Sequence, residues 1–377
     1  MKHVSWLIVG GGIQGMTAAV HLRRKAGIPA DKIAVIDPHA EPLAVWKERT
    51  EKIRMPYLRS SFVHHLSPDP LELEKRGDSF LGRYKRPSRS MFYNTSMDLL
   101  HEAGLQNSWI QDTVVKAEKS KDGWKVYGNN TIVSTTNLLL APGGGSKPII
   151  PEALQPHAVH VYDPAFDPAA VTGRAIVVGG GISAAHTAVF LAEQADAEPV
   201  LLHRRPLQVS QFDSDPGWLG PKRMQAFSRM DDRSRRTCLH QERRTGSMTR
   251  ELLFKLRRME RAGRLTILQD EAVSSTRHED GMIELALSSG CSLQAETVTA
   301  CTGFSRELPG SSWLKPLIEA YSLPCADCGY PKLSPSLMWT DRLYVTGALA
   351  ELEIGPSARN IAGAQRAARR IVESASM

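Results

Sequence analysis

Apolar runs, glycine turns and amphipathic stretches follow one another in an order that predicts β-α-β units. Residues 4–10 are apolar enough for a buried strand, and residues 13–26 carry helical spacing that ends near Gly27. Residues 33–37 (Ile-Ala-Val-Ile-Asp) form a second strand-like run with Asp37 at its tip. The same order returns over residues 174–203. Residues 40–110 show little periodicity before 96–102, which predicts loops and short helices. Residues 113–127 alternate around Asp122-Gly123, the signal of a type I′ hairpin. Residues 131–140 end in a buried strand that runs into Ala141-Pro142-Gly143-Gly144. A proline-rich connector is expected at 147–168, a basic and partly helical insertion at 206–262, and three short strands over 264–300. The chain closes with a strand at 343–347 and a helix from Pro356 to Glu373, opened by Gly355, Pro356 and Ser357.

Both β-α-β starts carry a glycine-rich turn. The first is Val9-Gly10-Gly11-Gly12-Ile13-Gln14-Gly15, and the second is Val178-Gly179-Gly180-Gly181-Ile182-Ser183-Ala184. Each reads as strand, tight turn and helix N-terminus, where bare amides and the positive helix end face a pyrophosphate. Gly15 and Asp37 lie 22 positions apart, which suits a carboxylate that accepts hydrogen bonds from an adenosine ribose. The second unit has no carboxylate at the matching place. Its second strand ends in His203-Arg204-Arg205. Guanidinium groups suit a 2′-phosphate, which predicts NADPH there; solvated loop charges are the alternative. Ala184 replaces the third glycine, a position that asks only for close helix–strand packing.

Composition narrows the class. A chain of 377 residues, 42% hydrophobic and 23% charged, suits about two soluble domains. No apolar run is long enough to cross a membrane, and Lys2-His3 leads almost directly into the first strand without a secretory signal. Five cysteines do not make a disulfide framework, so a reduced, cytoplasmic protein is expected. The net charge is +7, much of it between Lys222 and Arg264. Interspersed Glu242, Glu251 and Glu260 suggest a solvated helical face rather than a nucleic-acid surface, and a positive field that attracts an anionic nicotinamide cofactor is a further reading.

Two nucleotide turns, Ala141-Pro-Gly-Gly, Cys301-Thr-Gly-Phe and a late Thr346-Gly347 strand end before a helix together resemble the two-dinucleotide-binding-domain flavoproteins. The resemblance implies an α/β fold of two Rossmann-like, three-layer domains. The FAD domain would be discontinuous, residues 1–165 and 296–377, with an NADPH domain inserted at 166–295. It implies FAD contacts at Gly10, Gly12, Ile13, Gln14, Gly15, Asp37, Trp46, Val114, Ala141, Gly143, Gly303, Gly347, Gly355 and Pro356. It implies NADPH contacts at Gly179, Gly181, Ser183, Ala184, His203, Arg204 and Arg205. Trp46, Met55-Pro-Tyr-Leu-Arg59, Leu66-Ser-Pro-Asp-Pro70, and Arg86-Pro-Ser-Arg89 with Phe92 are similar to segments of the N-hydroxylating monooxygenases of the lysine and ornithine type. The dithiol-reductase branches need a cysteine pair against the flavin. No cysteine precedes Cys238, and Cys325-Ala-Asp-Cys328 lies outside either expected position, as incidental thiols or a peripheral disulfide.

The resemblance implies an NADPH-dependent FAD monooxygenase that oxygenates nitrogen or sulfur of a small substrate through a hydroperoxyflavin. Its partners would be that substrate and dioxygen, with neither nucleic acid nor membrane. The C-terminal helix would aim its positive end at the flavin pyrimidine. The cofactor carries this chemistry, so no nucleophilic triad or metal cluster is expected. The side-chain candidates are Arg59, as an anion clamp, and His64 and His65, as hydrogen-bonding groups that point opposite ways in an extended segment. A structural role is the alternative for each. The segment Gln211–Lys222, with Trp218, reads as a lid or as a rigid loop. Two other functions stay open: an NADPH-dependent FAD oxidoreductase feeding a quinone or protein acceptor, and a non-catalytic redox sensor.

Overall fold

The computed structural model describes residues 2–144, 147–305 and 307–375. Two sheets, the first with a parallel centre and antiparallel additions and the second parallel throughout, organise the chain. In the first, an eight-stranded sheet, Lys2–Val9 lies between Ile33–Asp37 and Ile132–Leu140, parallel to both. Trp109–Gln111 extends one side, and Leu343–Val345 with Met338–Thr340 extends the other. The central strands read as continuous apolar runs because both faces are covered. Leu7, Ile8, Ala34 and Leu138–Leu140 are accordingly buried. The helices Ile13–Arg24 and Ile361–Ala375 pack on one another.

The second sheet runs Thr266–Gln269, Ala197–His203, Gly173–Val178, Thr297–Ala300, Val159–His160, all parallel. Its membership differs from the boundaries read in the sequence. Strand Val159–His160 falls inside the expected connector, and Thr297–Ala300 falls beyond residue 295, yet both hydrogen-bond into this sheet. The three strands expected over 264–300 are five. Two join the second sheet, and Ala272–Arg277, Ile283–Leu287 and Ser292–Ala295 form a separate antiparallel meander.

Three local expectations change. The hairpin Val114–Ser120/Gly123–Gly128 turns through Lys121-Asp122, and neither takes a positive φ; Gly123 does, at 144°. A type I′ turn needs positive φ at both central residues, so the turn is of another type. The expected loop before residue 96 holds the first half of helix Arg89–Glu102, begun by Ser88, whose Oγ accepts from Met91 N–H at 3.2 Å. The C-terminal helix starts at Ile361, not Pro356. Gly355 stands at φ 86°, and residues 356–360 form a turn in which the Ala358 and Asn360 carbonyls accept from Gln14. No helix among the described residues is long and apolar enough to cross a membrane.

Candidate functional site

The two glycine turns are built alike. Gly10 N–H donates to Ile36 O and Gly179 N–H to Leu202 O, both at 2.9 Å, tying each turn to its neighbouring strand. Ala141 N–H donates to Val9 O and Cys301 N–H to Val178 O, both at 2.8 Å. The chain therefore crosses over the first glycine of each turn. A Cβ on Gly10 would sit 2.1 Å from Ala141 O, and one on Gly179 would sit 2.7 Å from Cys301 O. Both glycines also hold positive φ, 109° and 149°. These contacts explain physically why the segments at 141–144 and 301–304 accompany glycine turns.

In the first turn, Gly12 is exposed and caps helix Ile13–Arg24 without any side-chain cap. A Cβ there would meet nothing within 4 Å. Open space over uncapped amides is what a pyrophosphate needs. Gly15 has no such room; its Cβ would lie 1.9 Å from Gly10 O. Asp37 Oδ2 accepts Gly11 N–H at 2.7 Å, and Oδ1 accepts His39 N–H at 2.9 Å and meets His39 Nδ1 at 2.7 Å. The carboxylate thus fixes the turn while its remaining lone pairs stay available. Trp109, which the sequence reading did not single out, lays its ring over this edge. A Cβ on Gly11 would be 2.1 Å from the ring, and Nε1–H donates to His39 O at 3.1 Å. Only the third strand's register could have marked it.

Gln14 binds the C-terminal segment to this turn. Its Nε2–H donates to Ala358 O at 3.0 Å and Asn360 O at 3.2 Å, and its Oε1 accepts from Thr346 Oγ at 2.9 Å. Gly347, at φ 66°, is closely approached, with Gln14 Cγ 3.0 Å from its virtual Cβ. Gly355, Pro356 and Ser357 are buried in the same segment, and Ser357 Oγ has no hydrogen-bond partner among the described residues. Gly143 keeps open space beside it. Loop 10–15, crossover 141–144 and segment 346–361 therefore converge. Val114 is buried at the head of its strand, opposite Gly128. Trp46 stands apart on helix Ala44–Lys52, 4.9 Å from the Phe92 ring and stacked at 6.5 Å on Tyr93. Its helix is the part that touches the turn, through Leu43 N–H to Gly11 O at 2.9 Å.

In the second turn, Gly181 caps helix Ile182–Glu193, again without a side-chain cap. Gly246 Cα lies 3.3 Å from its virtual Cβ, so the turn is partly roofed. Ala184 is fully buried. His203 is buried, its Nδ1 2.9 Å from Arg205 O. Arg204 reaches Glu271 at 3.4 Å with both side chains over half exposed, and Arg205 is exposed. Ser183 Oγ lies 2.8 Å from Tyr162 OH. Tyr162 stacks on Phe304 at 5.6 Å, and the Arg49 guanidinium stands 4.3 Å from the Phe304 centroid. Gly303 O is 3.1 Å from His160 Nε2. This chain of contacts joins the second turn to helix Ala44–Lys52 of the first unit.

The side-chain candidates divide. Arg59 is occupied: its nitrogens donate to Gln211 O, Ser210 O, Phe212 O and Ser247 Oγ at 2.6–3.1 Å and pair with Asp213. It clasps the segment that reads as a lid or a rigid loop, instead of standing ready for an anion. Arg366 pins the same segment through Trp218 O and Leu219 O, and Trp218 is buried with Nε1–H on Glu242. That segment is a fixed strap. His65 is 1% exposed; Ser67 N–H donates to its Nδ1 at 3.1 Å, so Nε2 carries the proton toward Pro70 O. His64 is half-buried, and burial pushes its pKa down to about 4. It is neutral at pH 7. A cleft of 380 Å³ opens between the units, with Tyr57 and Arg86 on one side and Ile182, His186 and Phe190 on the other. That volume suits a small molecule.

The basic stretch is only partly a solvated face. Glu351 is fully buried and takes Arg236, Arg243 and Arg359 together. Glu353 takes Arg235 at 3.4 Å and Arg370 at 2.9 Å. Burial alone would raise the Glu351 carboxyl, but the guanidinium groups outweigh it and hold the pKa below its ordinary value. The arginines of the insertion thus anchor the C-terminal segment.

Over its whole length the fold matches solved flavin-dependent hydroxylases. Ornithine N-hydroxylase of Kutzneria sp. 744 superposes with TM-score 0.78 at 18% identity, covering 100% of both chains. Ornithine hydroxylase of Pseudomonas aeruginosa gives 0.75 at 18%, covering 99% of this chain and 98% of the other. L-lysine 6-monooxygenase of Pseudomonas syringae gives 0.69 at 17%, covering 99% of each. No curated protein sequence matches significantly. The profile described as pyridine nucleotide-disulphide oxidoreductase matches residues 4–368, nearly the full chain, and the protein belongs to that family.

Proposed function

We propose that the chain is an NADPH-dependent FAD monooxygenase that oxygenates an amine nitrogen of a small substrate. The observation that carries this reading is the pairing of two like-built glycine turns in a fold shared end to end with amine hydroxylases. The first unit would hold FAD. Gly12 and the amides of Ile13 and Gln14 would face its pyrophosphate, Asp37 its ribose, and Trp109 would wall the adenosine edge. Gly143, Gly347 and Ser357 would line the path toward the flavin ring, where the unpartnered Ser357 hydroxyl gains an acceptor or donor. The second unit would hold NADPH, with Gly181 and Ser183 at the pyrophosphate and Arg204 and Arg205 at the 2′-phosphate.

Bound FAD supplies hydride acceptance and oxygen activation; the chain's own residues position and shield. Arg59 and Arg366 keep the strap 211–219 closed against the first unit, which limits water at the junction. His64, neutral and half-buried, is suited to accept a hydrogen bond from an amine substrate. The cleft between Tyr57 and Ile182 gives a small substrate its route. The test is stoichiometry. A monooxygenase oxidises NADPH slowly alone, faster with an amine substrate, and forms one hydroxylated product per NADPH. Rapid turnover with quinones and no oxygenated product from any amine would refute the reading.

A further inference from the structure

We infer that Cys325 and Cys328 form a peroxide-oxidisable dithiol, a modification site built onto the outer end of the Glu351–arginine cluster. The inference stands independently of the proposed monooxygenase activity. The two cysteines sit on a tight turn in which Gly329 N–H donates to Ala326 O at 2.8 Å and Ala326 N–H to Tyr330 O at 2.9 Å. Both line one open cleft of 790 Å³. Cys328 is exposed and Cys325 half-buried.

The company of Cys328 sets it apart. Arg236 aims Nε and Nη2 at its Sγ, at 3.4 and 3.3 Å. The third nitrogen of Arg236, Nη1, is held by the fully buried Glu351, and its guanidinium stands 4.1 Å from the Tyr330 ring centroid. The cation is therefore fixed against the sulfur from both sides. A guanidinium held in contact with sulfur gives the negative charge of an attacking sulfur a fixed partner. The other cysteines lack this combination. Cys301 is half-buried and desolvation pushes its pKa up to about 12, and burial also raises Cys238. Cys291 is exposed, but among the described residues no cation contacts its sulfur.

The chemistry balances with hydrogen peroxide as the oxidant. The Cys328 thiolate attacks one peroxide oxygen, the O–O bond breaks, and hydroxide leaves to be protonated. Cys328 is then a sulfenic acid. The Cys325 sulfur gives up its proton, attacks the Cys328 sulfur and displaces the hydroxyl group, which leaves as water with that proton. Two thiols and one peroxide become one disulfide and two waters.

The full-length protein tests this by timed alkylation with iodoacetamide at neutral pH and peptide mass spectrometry. Cys328 is expected to react about tenfold faster than Cys291, the gain of an exposed thiol beside a fixed cation. Peroxide is expected to join Cys325 to Cys328, and Cys325→Ser to stop at a Cys328 sulfenic acid trapped by dimedone. Arg236→Gln slows Cys328 and leaves Cys291 unchanged. Equal alkylation of Cys328 and Cys291 in the unaltered protein, or a peroxide product that leaves Cys325 and Cys328 unlinked, overturns the inference even where the Arg236 variant fails to fold.

Discussion

Two glycines three positions apart in the first turn should fail in opposite ways when given side chains. Gly12 has φ −76° and ψ −173°, a backbone open to any residue, and its virtual Cβ meets nothing within 4 Å. Gly12→Val should therefore leave the cofactor-free protein within about 1 kcal/mol of the parent, with a small gain from a stiffer unfolded chain. The same side chain fills the space that a pyrophosphate must enter to meet the helix amides. Losing two charge-assisted hydrogen bonds at about 1.5–3 kcal/mol each weakens FAD by roughly two to four orders of magnitude. Gly15 is the control. Its Cβ would overlap the backbone oxygen of Gly10 at 1.9 Å, so Gly15→Ala should cost the fold itself several kcal/mol, on the order of the worst core substitutions. Urea denaturation of the apoproteins and FAD titration by flavin fluorescence separate the two. A Gly12→Val protein that unfolds like Gly15→Ala, or that binds FAD as tightly as the parent, refutes the assignment.

Other substitutions probe the remaining parts. Glu351→Gln leaves three guanidinium groups around a neutral amide and should cost about 3–5 kcal/mol at pH 7. Because the folded carboxyl is held below its ordinary 4.5, that stability is present above about pH 4.5 and is lost on further acidification; urea midpoints of parent and variant should converge at low pH. Arg204→Ala combined with Arg205→Ala should raise the NADPH Michaelis constant more than tenfold, from about 1.5–3 kcal/mol of lost bonding, and leave that for NADH nearly unchanged; equal changes would contradict a 2′-phosphate site. His21 is 3% exposed, its Nε2 has no hydrogen-bond partner among the described residues, and burial lowers its pKa from 6.5 to about 4. The unfolded chain binds that proton first, so stability is full above pH 6.5 and falls by up to about 3 kcal/mol toward pH 4. His21→Met should show a flatter dependence of its urea midpoint between pH 8 and 5.

Local chemistry made the nucleotide turns legible. A strand, three glycines and a helix are contiguous in sequence, and the turn's demands on φ and on close approach are met within a few residues. The crossovers at Ala141 and Cys301 were readable as motifs, although their reason, contact with Gly10 and Gly179, is tertiary. The late helix start was misread because Gly355-Pro356 has the chemistry of a helix N-terminus. Gln14, more than 340 positions away, donates to the carbonyls of Ala358 and Asn360 and ties that turn to the first glycine loop, a tertiary contact that nothing local announces. The same distance effect hid the partners of Arg235, Arg236 and Arg243, whose acids lie over 100 residues downstream. Arg59 looked like an anion clamp because an isolated arginine shows nothing of the four backbone and hydroxyl oxygens waiting for it. Trp109 carried no motif at all; its place over Gly11 follows from strand order.

An anaerobic titration of the FAD-reconstituted protein with NADPH tests the central claim most directly. The account predicts a bound isoalloxazine band that NADPH bleaches at lower concentration than NADH. Protein that takes up no flavin, or whose flavin band NADPH leaves intact, would contradict it.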